Sequence, residues 1–297
     1  MVSPGILLVD KPAGLTSHDV VARTRRAFGT RKVGHAGTLD PMATGLLVIG
    51  IEGATRLLTY IVGADKTYTA TIRLGQTTGT DDAEGEILTT AAAEAWDAVT
   101  DEAVAAGIAA LTGEISQVPS AVSAIKVDGR RAYDRVRAGE EVVLAAREVV
   151  VSRFDLIASR RSDGALDLDV IVDCSSGTYI RSLARDLGEA LGVGGHLTAL
   201  RRTRVGPFDV SDAVDVDALE GASTLTAAQA ARRILPVLDM TAEEARDLRH
   251  GKRLTGHAAR LDGPIAAAID EDGLLVGIVE KRGADLKSAM NMPEAVR

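Results

Sequence analysis

Cysteine is almost missing from the 297-residue chain, where Cys174 stands alone. One thiol excludes an internal disulfide and cannot build a cysteine-rich metal site, so a reducing, cytoplasmic setting is the simplest expectation. Aromatic residues reach only 3 % of a composition that is 46 % hydrophobic, which leaves Val, Leu, Ile and Ala to build the core. No window offers the ~18 consecutive apolar residues of a membrane span. Met1 to Pro4 opens without the basic stretch and apolar run of a secretory signal, so neither insertion nor export is expected. The five histidines, His18, His35, His196, His250 and His257, lack paired metal-ligand spacing. A Gly-x-Ser-x-Gly elbow is lacking too. Gly29 and Gly34 have phosphate-loop spacing but are followed by His35 and Ala36, and Gly192-Val193-Gly194 meets Leu197 where a dinucleotide fingerprint needs glycine.

Positive charge is also short overall, with 34 Lys and Arg against 42 Asp and Glu for a net −8. That balance argues against a phosphate-binding surface until its distribution is considered. Residues 81–102 hold eight acids (Asp81, Asp82, Glu84, Glu86, Glu94, Asp97, Asp101, Glu102) and no Lys or Arg, equal to the whole net charge. Residues 1–76 carry +4 and residues 181–204 carry +3. A local basic face is therefore compatible with an acidic chain, and so are scattered solvated charges. The acidic stretch is expected to be a solvated face turned away from any nucleic acid.

What is present reads as alternating elements. Gly5 to Val9 is a short apolar run stopped by Asp10-Lys11-Pro12-Ala13-Gly14, a strand ending in a turn. Ser17 is expected to cap a helix running to Phe28, with Gly29 at its end. Residues 32–45 have no helical period and read as a loop, before the buried strand Leu46 to Ile51. Thr67 to Leu74 alternates, placing Tyr68, Ala70, Ile72 and Leu74 on one face. A solvent-facing helix is expected over 91–111, and strands over 149–157 and 166–172. Thr178 or a preceding serine should cap a helix on which Arg181 and Arg185 share a face. Another strand spans 197–205 with the basic run Arg201, Arg202 and Arg204. After Ala213 the chain reads as an Ala-rich linker and helix. Beyond Pro236 come a short helix at 243–248 and a hairpin turning at Glu271-Asp272-Gly273. These last ~60 residues sit near the lower size limit of an independent core and read as a small β-rich module.

Within the 32–45 loop, Gly34 and Gly37 permit backbone shapes closed to other residues, His35 offers a donor or acceptor at neutral pH, and Asp40 precedes a proline that stiffens the turn. Such a loop can present one carboxylate rigidly. On local chemistry alone, Asp40 can equally be bonding its own turn amides.

The run Gly34-His35-Ala36-Gly37-Thr38-Leu39-Asp40-Pro41-Met42-Ala43-Thr44-Gly45-Leu46-Leu47 resembles the catalytic-loop signature of the TruB family of tRNA pseudouridine-55 synthases. Companion blocks follow in family order: Val9-Asp10-Lys11-Pro12 with Gly14 and Ser17, Asp65-Lys66-Thr67-Tyr68, Leu74-Gly75 with Thr80-Asp81, Val118-Pro119-Ser120, Ser123-Ala124-Ile125-Lys126, and Gly177-Thr178-Tyr179-Ile180-Arg181-Ser182-Leu183. The resemblance covers residues 5–210 strongly, and more loosely the last sixty residues.

The resemblance implies an α+β fold with a mixed, mostly antiparallel sheet flanked by helices. Residues 1–235 would form the catalytic domain and residues 236–297 a small β-rich PUA-like RNA-binding domain. It implies isomerisation of uridine-55 in the tRNA T-loop, with the base flipped out. Asp40 would be the nucleophile, Arg181 the paired cation that keeps it ionised, and Tyr68 the ring against the uracil. Tyr179 would hydrogen-bond near the base or its arginine, Leu200 would close over the uracil, and His35 would occupy the vacated stack. Lys11 and Pro12 would pack against the loop, and the basic side chains of 181–204 would track phosphates. No metal or cofactor is implied, and the expected partner is the T-arm of tRNA, met by a cytoplasmic monomer. Two rivals remain: a non-catalytic RNA-binding or RNA-folding protein on the same scaffold, and a glycoside hydrolase, for which the motif region offers no second carboxylate.

Overall fold

The computed structural model describes residues 2–120, 126–127, 130–131, 144–162 and 164–293. The expected Ser123-Ala124-Ile125 block lies outside the described residues. The chain falls into two compact units, one of Met1–Pro41, Gly45–Gly63 and Val205–Arg297, the other of Met42–Thr44 and Ala64–Arg204.

In the first unit the strand Gly5–Lys11 pairs antiparallel with Thr44–Ile51, from Gly5 opposite Ile51 to Lys11 opposite Gly45. The opposite edge of Gly5–Lys11 takes the parallel Val214–Asp215 and the antiparallel Leu225–Thr226. Both central strands read as unbroken apolar runs because both faces are covered. Leu7, Val9, Leu47 and Ile49 pack with Val20 and Val21 of the helix Ser17–Ala27, whereas Ile6, Leu8, Leu46 and Val48 pack with Phe208, Ala228 and Ala231 on the other side. The expected linker after Ala213 is thus structured. Its helix Ala227–Ile234 starts with a Thr226/Gln229 capping box and buries its alanines.

The Ser17–Ala27 helix is capped by Thr16, not Ser17: Thr16 and Asp19 form a reciprocal capping box. Ser17 points inward and is 1 % exposed. Residues 33–35 also depart from the expected loop, forming a strand paired to Thr44–Ile51 with His35 opposite Ile49.

The C-terminal residues form a four-stranded sheet ordered Val237–Asp239, Ile265–Ile269, Leu275–Arg282, Asp285–Asn291. The hairpin is present, with Gly273 at φ 76° where only a glycine turns without strain. The helix Ala242–Arg249 and the sheet share a core of Met240, Ala245, Leu248, Val276, Val279 and Leu286.

In the second unit Lys66–Leu74 pairs antiparallel with Ala165–Cys174, which pairs antiparallel with Arg147–Ser162, which pairs antiparallel with Gly113–Gln117. Gly195–Val205 lies on the other side of Lys66–Leu74. Alternation is clean along Lys66–Leu74: the even residues are buried, and three of the four odd ones meet acids in register on the next strand, Thr67 on Asp173, Thr71 on Asp169 at 2.8 Å and Arg73 on Asp167 through two 2.7 Å bonds. The helix Ile180–Ala190 buries Leu183, Ala184 and Leu187. Its Gly188 is pressed against the turn at Gly194, where a Cβ would stand 2.2 Å from a backbone carbon. The glycines that mimic a nucleotide fingerprint, Gly192 and Gly194, take φ 72° and 73°, turns that favour glycine. Residues 91–111 form not one helix but a 3-10 turn, Ala93–Ala98, and a helix Asp101–Ala110 restarted by the Thr100 cap.

Candidate active site

The loop that carries Asp40 is anchored on both sides of it. Leu39, one residue before, donates its N–H to Ser17 Oγ at 2.8 Å, and Ser17 donates its hydroxyl back to the Leu39 carbonyl at 3.1 Å. Pro41, one residue after, accepts from Gly14 N at 2.9 Å and from Lys11 Nζ at 3.2 Å. Lys11 also bonds the carbonyls of Pro12 (2.9 Å) and Leu15 (2.7 Å) and is wholly buried. A buried ammonium needs such partners. Lys11 therefore grips the Asp10-Lys11-Pro12 turn and the loop together, and its atoms are not open to solvent. Upstream, Ala36 N bonds Val48 O at 2.9 Å, and Gly37 takes φ 95°. Between these anchors Asp40 is partly exposed, and His35 sets its ring edge-on to His18, 5.6 Å between centroids.

Tyr68, Tyr179, Arg181 and Leu200 belong to the second unit. Tyr68 is 7 % exposed on the inner face of Lys66–Leu74, and Leu200 is equally buried on Gly195–Val205. Arg181 is not a surface helix arginine: it is 3 % exposed. Its Nη1 donates to Thr80 O at 2.9 Å and to Ser120 Oγ at 3.2 Å, and its Nε lies 3.6 Å from Asp82 Oδ2. Asp82, 3 % exposed, in turn accepts from Thr80 Oγ1 and from Glu84 N. Asp81 lies 3.5 Å from Arg185, which also holds Asp186 and the Val118 carbonyl. The acidic stretch is thus no uniform solvated face. Its first two members turn inward to balance the two arginines of the Ile180–Ala190 helix, as burying a guanidinium requires.

The basic residues of 181–204 are corrected likewise. Arg181 and Arg202 are buried, at 3 % and 1 % exposure, and Arg204 bonds Thr67 and sits 3.8 Å from Asp173, so these side chains do not form a free phosphate track. Arg202 shares its interior with Lys66, which is 6 % exposed and bonds Ala64 O at 2.6 Å. Burial, with the Arg202 charge beside it, pulls the Lys66 ammonium down to about 8. Burial pushes the Cys174 thiol up to about 11.

Neither Thr178 nor a serine caps the Ile180–Ala190 helix. Tyr179 is the cap residue and has no side-chain cap bond, while Thr178 bonds Ser175 O at 3.0 Å. Sequence reasoning missed Asp82, although Thr80-Asp81 marked its block. It also missed Gln117 and Arg147, which touch Tyr179 and follow no motif. Among the described residues, no group of three or more His, Cys, Asp or Glu side chains is placed to hold a metal.

Three family models match the chain: TruB family pseudouridylate synthase (N terminal domain) over residues 25–180, tRNA pseudouridylate synthase B C-terminal domain over 181–241, and tRNA Pseudouridine synthase II, C terminal over 235–293. A protein of Leifsonia xyli subsp. xyli called tRNA pseudouridine synthase B is 62 % identical, over 99 % of this chain and 98 % of its own length. Its counterpart from an Arthrobacter species is 58 % identical over 96 % of this chain and 95 % of its own. Among solved structures, a chain of an H/ACA RNP bound to a substrate RNA containing 2′-deoxyuridine shares the fold, with TM-score 0.71 and 24 % identity over 98 % of this chain and 85 % of that one. A chain of a Cbf5-Nop10-Gar1 complex matches with TM-score 0.69 and 26 % identity, over 98 % of this chain and 84 % of that one. With models matched from residue 25 to residue 293 and relatives well over half identical along nearly the whole length, the chain belongs to the TruB family of pseudouridylate synthases.

Proposed function

We propose that the chain isomerises uridine-55 in the T-loop of tRNA to pseudouridine, with Asp40 as the nucleophile. As a family member it is a tRNA pseudouridine synthase, an isomerase; the position in the tRNA and the residue roles are the proposal. The observation that carries it is the presentation of Asp40: a partly exposed carboxylate between two residues pinned by Ser17, Gly14 and Lys11. A nucleophile held this way has little orientational freedom left to lose when it attacks.

The reaction breaks the C1′–N1 bond, turns the uracil and forms a C1′–C5 bond. C5 loses a proton and N1 gains one, so no oxidant, reductant or net water is needed. Asp40 captures an electron-poor carbon of the substrate, as carboxylates do in retaining glycosidases. Arg181 is the cation that pairs with Asp40. Tyr68 packs its ring on the uracil with its hydroxyl near the C5 proton, Tyr179 bonds at the base, and Leu200 closes over it. His35 takes the place that the flipped uridine leaves in the stack. Lys11 serves the substrate through the loop that it clamps. Residues 236–297 act as a PUA-like RNA-binding module, and the enzyme works as a cytoplasmic monomer that recognises the T-arm mainly by shape.

The test is incubation with an unmodified tRNA transcript and with a copy bearing cytidine at position 55, pseudouridine being mapped by mass spectrometry. One product at position 55 and none in the cytidine copy is expected. Product elsewhere contradicts the assigned position, and tRNA bound without product contradicts the activity.

A further inference from the structure

We propose that Gln117 is a positioning residue for this reaction, fixing Tyr179 and, through it, the first turn of the helix that carries Arg181. The inference rests on the reading above, in which Tyr179 and Arg181 serve the uridine.

Gln117 ends the strand Gly113–Gln117 and is wholly buried. A primary amide taken out of water must find partners for its oxygen and its N–H groups. Both ends of this amide close on one residue 62 positions away: Oε1 accepts from Tyr179 N at 2.8 Å, and Nε2 donates to Tyr179 O at 3.1 Å. The orientation follows from chemistry, since only the oxygen can receive a backbone N–H. The side chain thus treats Tyr179 as a neighbouring strand would.

Tyr179 is where the backbone passes from extended (φ −103°, ψ 111°) into the helix Ile180–Ala190, and no side chain caps it. Its carbonyl also takes the helical bond from Leu183 N at 3.3 Å. Gln117 therefore acts at the hinge between the Gly177-Thr178 turn and the helix. Arg181 follows two residues later.

A second grip comes from the next strand. Arg147 lies directly opposite Gln117 in the antiparallel ladder, so the two side chains leave the same face of the sheet. Its guanidinium lies 5.0 Å from the centre of the Tyr179 ring, at cation–π distance. Gln117 holds the backbone of Tyr179 and Arg147 its ring. The segment that continues from Gln117 extends the contact along the helix, Val118 O accepting from Arg185 at 2.8 Å and Ser120 Oγ from Arg181 at 3.2 Å. Residues 117–120 form a splint along the helix face that bears the arginines. Misplacing a reacting group by about 1 Å can cost about a hundredfold in rate, so such a splint is worth more to the chemistry than to RNA affinity.

The experiment uses the full chain and an unmodified tRNA transcript. Gln117→Met keeps the volume and removes both bonds; Gln117→Glu keeps the acceptor for Tyr179 N and sets a carboxylate against Tyr179 O. Three quantities are read: the single-turnover rate at saturating enzyme, the tRNA Kd and the urea midpoint. Gln117→Met is expected to slow conversion about 10- to 100-fold with Kd within about threefold. If the Met variant does not fold, Gln117→Glu carries the test. Its rate relative to wild type should recover as pH falls and the buried carboxyl, protonated, regains a donor. A full rate in the folded Met variant, or a Glu variant whose rate relative to wild type does not change with pH, overturns the proposal, and so does a loss of rate that merely tracks lost tRNA binding or stability. Wild type and Asp40→Asn run in parallel. A wild type without product, or an active Asp40→Asn, overturns the underlying reading, an outcome distinct from a fast Gln117 variant.

Discussion

Burying a guanidinium to 3 % exposure is costly without a nearby carboxylate, and Arg181 has Asp82. The pair explains why an acidic stretch begins with two residues turned inward, and it gives Asp82 a consequence out of proportion to its obscurity in the sequence. In Asp82→Asn the buried arginine loses its counter-charge while the side-chain shape is kept. Breaking a buried pair from one side costs about 3–5 kcal/mol, so the urea midpoint should fall clearly. Conversion should slow by more than about tenfold, because Arg181 is free to turn from its Thr80 and Ser120 partners. A variant as stable and as fast as wild type would remove Asp82 from the account.

Elements set what single residues can do. Ser17 reads in the sequence as a helix cap, but the cap is Thr16, and the Ser17 hydroxyl is spent on both polar groups of the Leu39 backbone. One residue of shift thus turns a local capping role into a long-range tie between the helix and the Asp40 loop. Ser17→Ala leaves the Leu39 N–H buried without this partner, at a cost of about 1–3 kcal/mol. The helix, still capped by Thr16, should persist by circular dichroism. Pseudouridine formation should drop about tenfold with tRNA Kd nearly unchanged; a parallel loss of helix would show that Ser17 matters only as scaffold. The same shift marks the limit of legibility. Alternation along Lys66–Leu74 and the turn at Gly273 were readable because each is set by neighbours in sequence. The Ser17–Leu39, Arg181–Asp82 and Gln117–Tyr179 contacts were not, because a hydroxyl, a carboxylate or an amide carries no sequence sign of which distant backbone or cation it will meet. Asp40 itself was ambiguous on local chemistry and became interpretable only with its companion blocks.

At the scale of the whole molecule, buried ionisable groups couple stability to pH. Lys66 is pulled from 10.5 to about 8 by burial, so between those values the unfolded chain binds the proton that the folded chain has released. Stability therefore rises with pH across that window and is lowest below pH 8, where the folded protein must bury the charged ammonium. Cys174 acts in the opposite sense. Its thiol is raised from 9.0 to about 11, so the unfolded chain releases its proton first and stability falls as pH climbs through that range. The window from pH 8 to 9 thus belongs to Lys66. Unfolding free energies from urea titrations should increase there in wild type and stay flat in Lys66→Met; a rise retained by the variant would show that another group is responsible. Both groups lie within the second unit.

The role given to Asp40 is the most exposed to refutation. In Asp40→Asn the anchors at Leu39 and Pro41 remain and only the nucleophile is removed. Single-turnover conversion of an unmodified tRNA transcript, with tRNA Kd measured alongside, should show no pseudouridine above background and a Kd within about threefold of wild type. Conversion by Asp40→Asn within about tenfold of the wild-type rate would contradict the assignment of Asp40 as nucleophile.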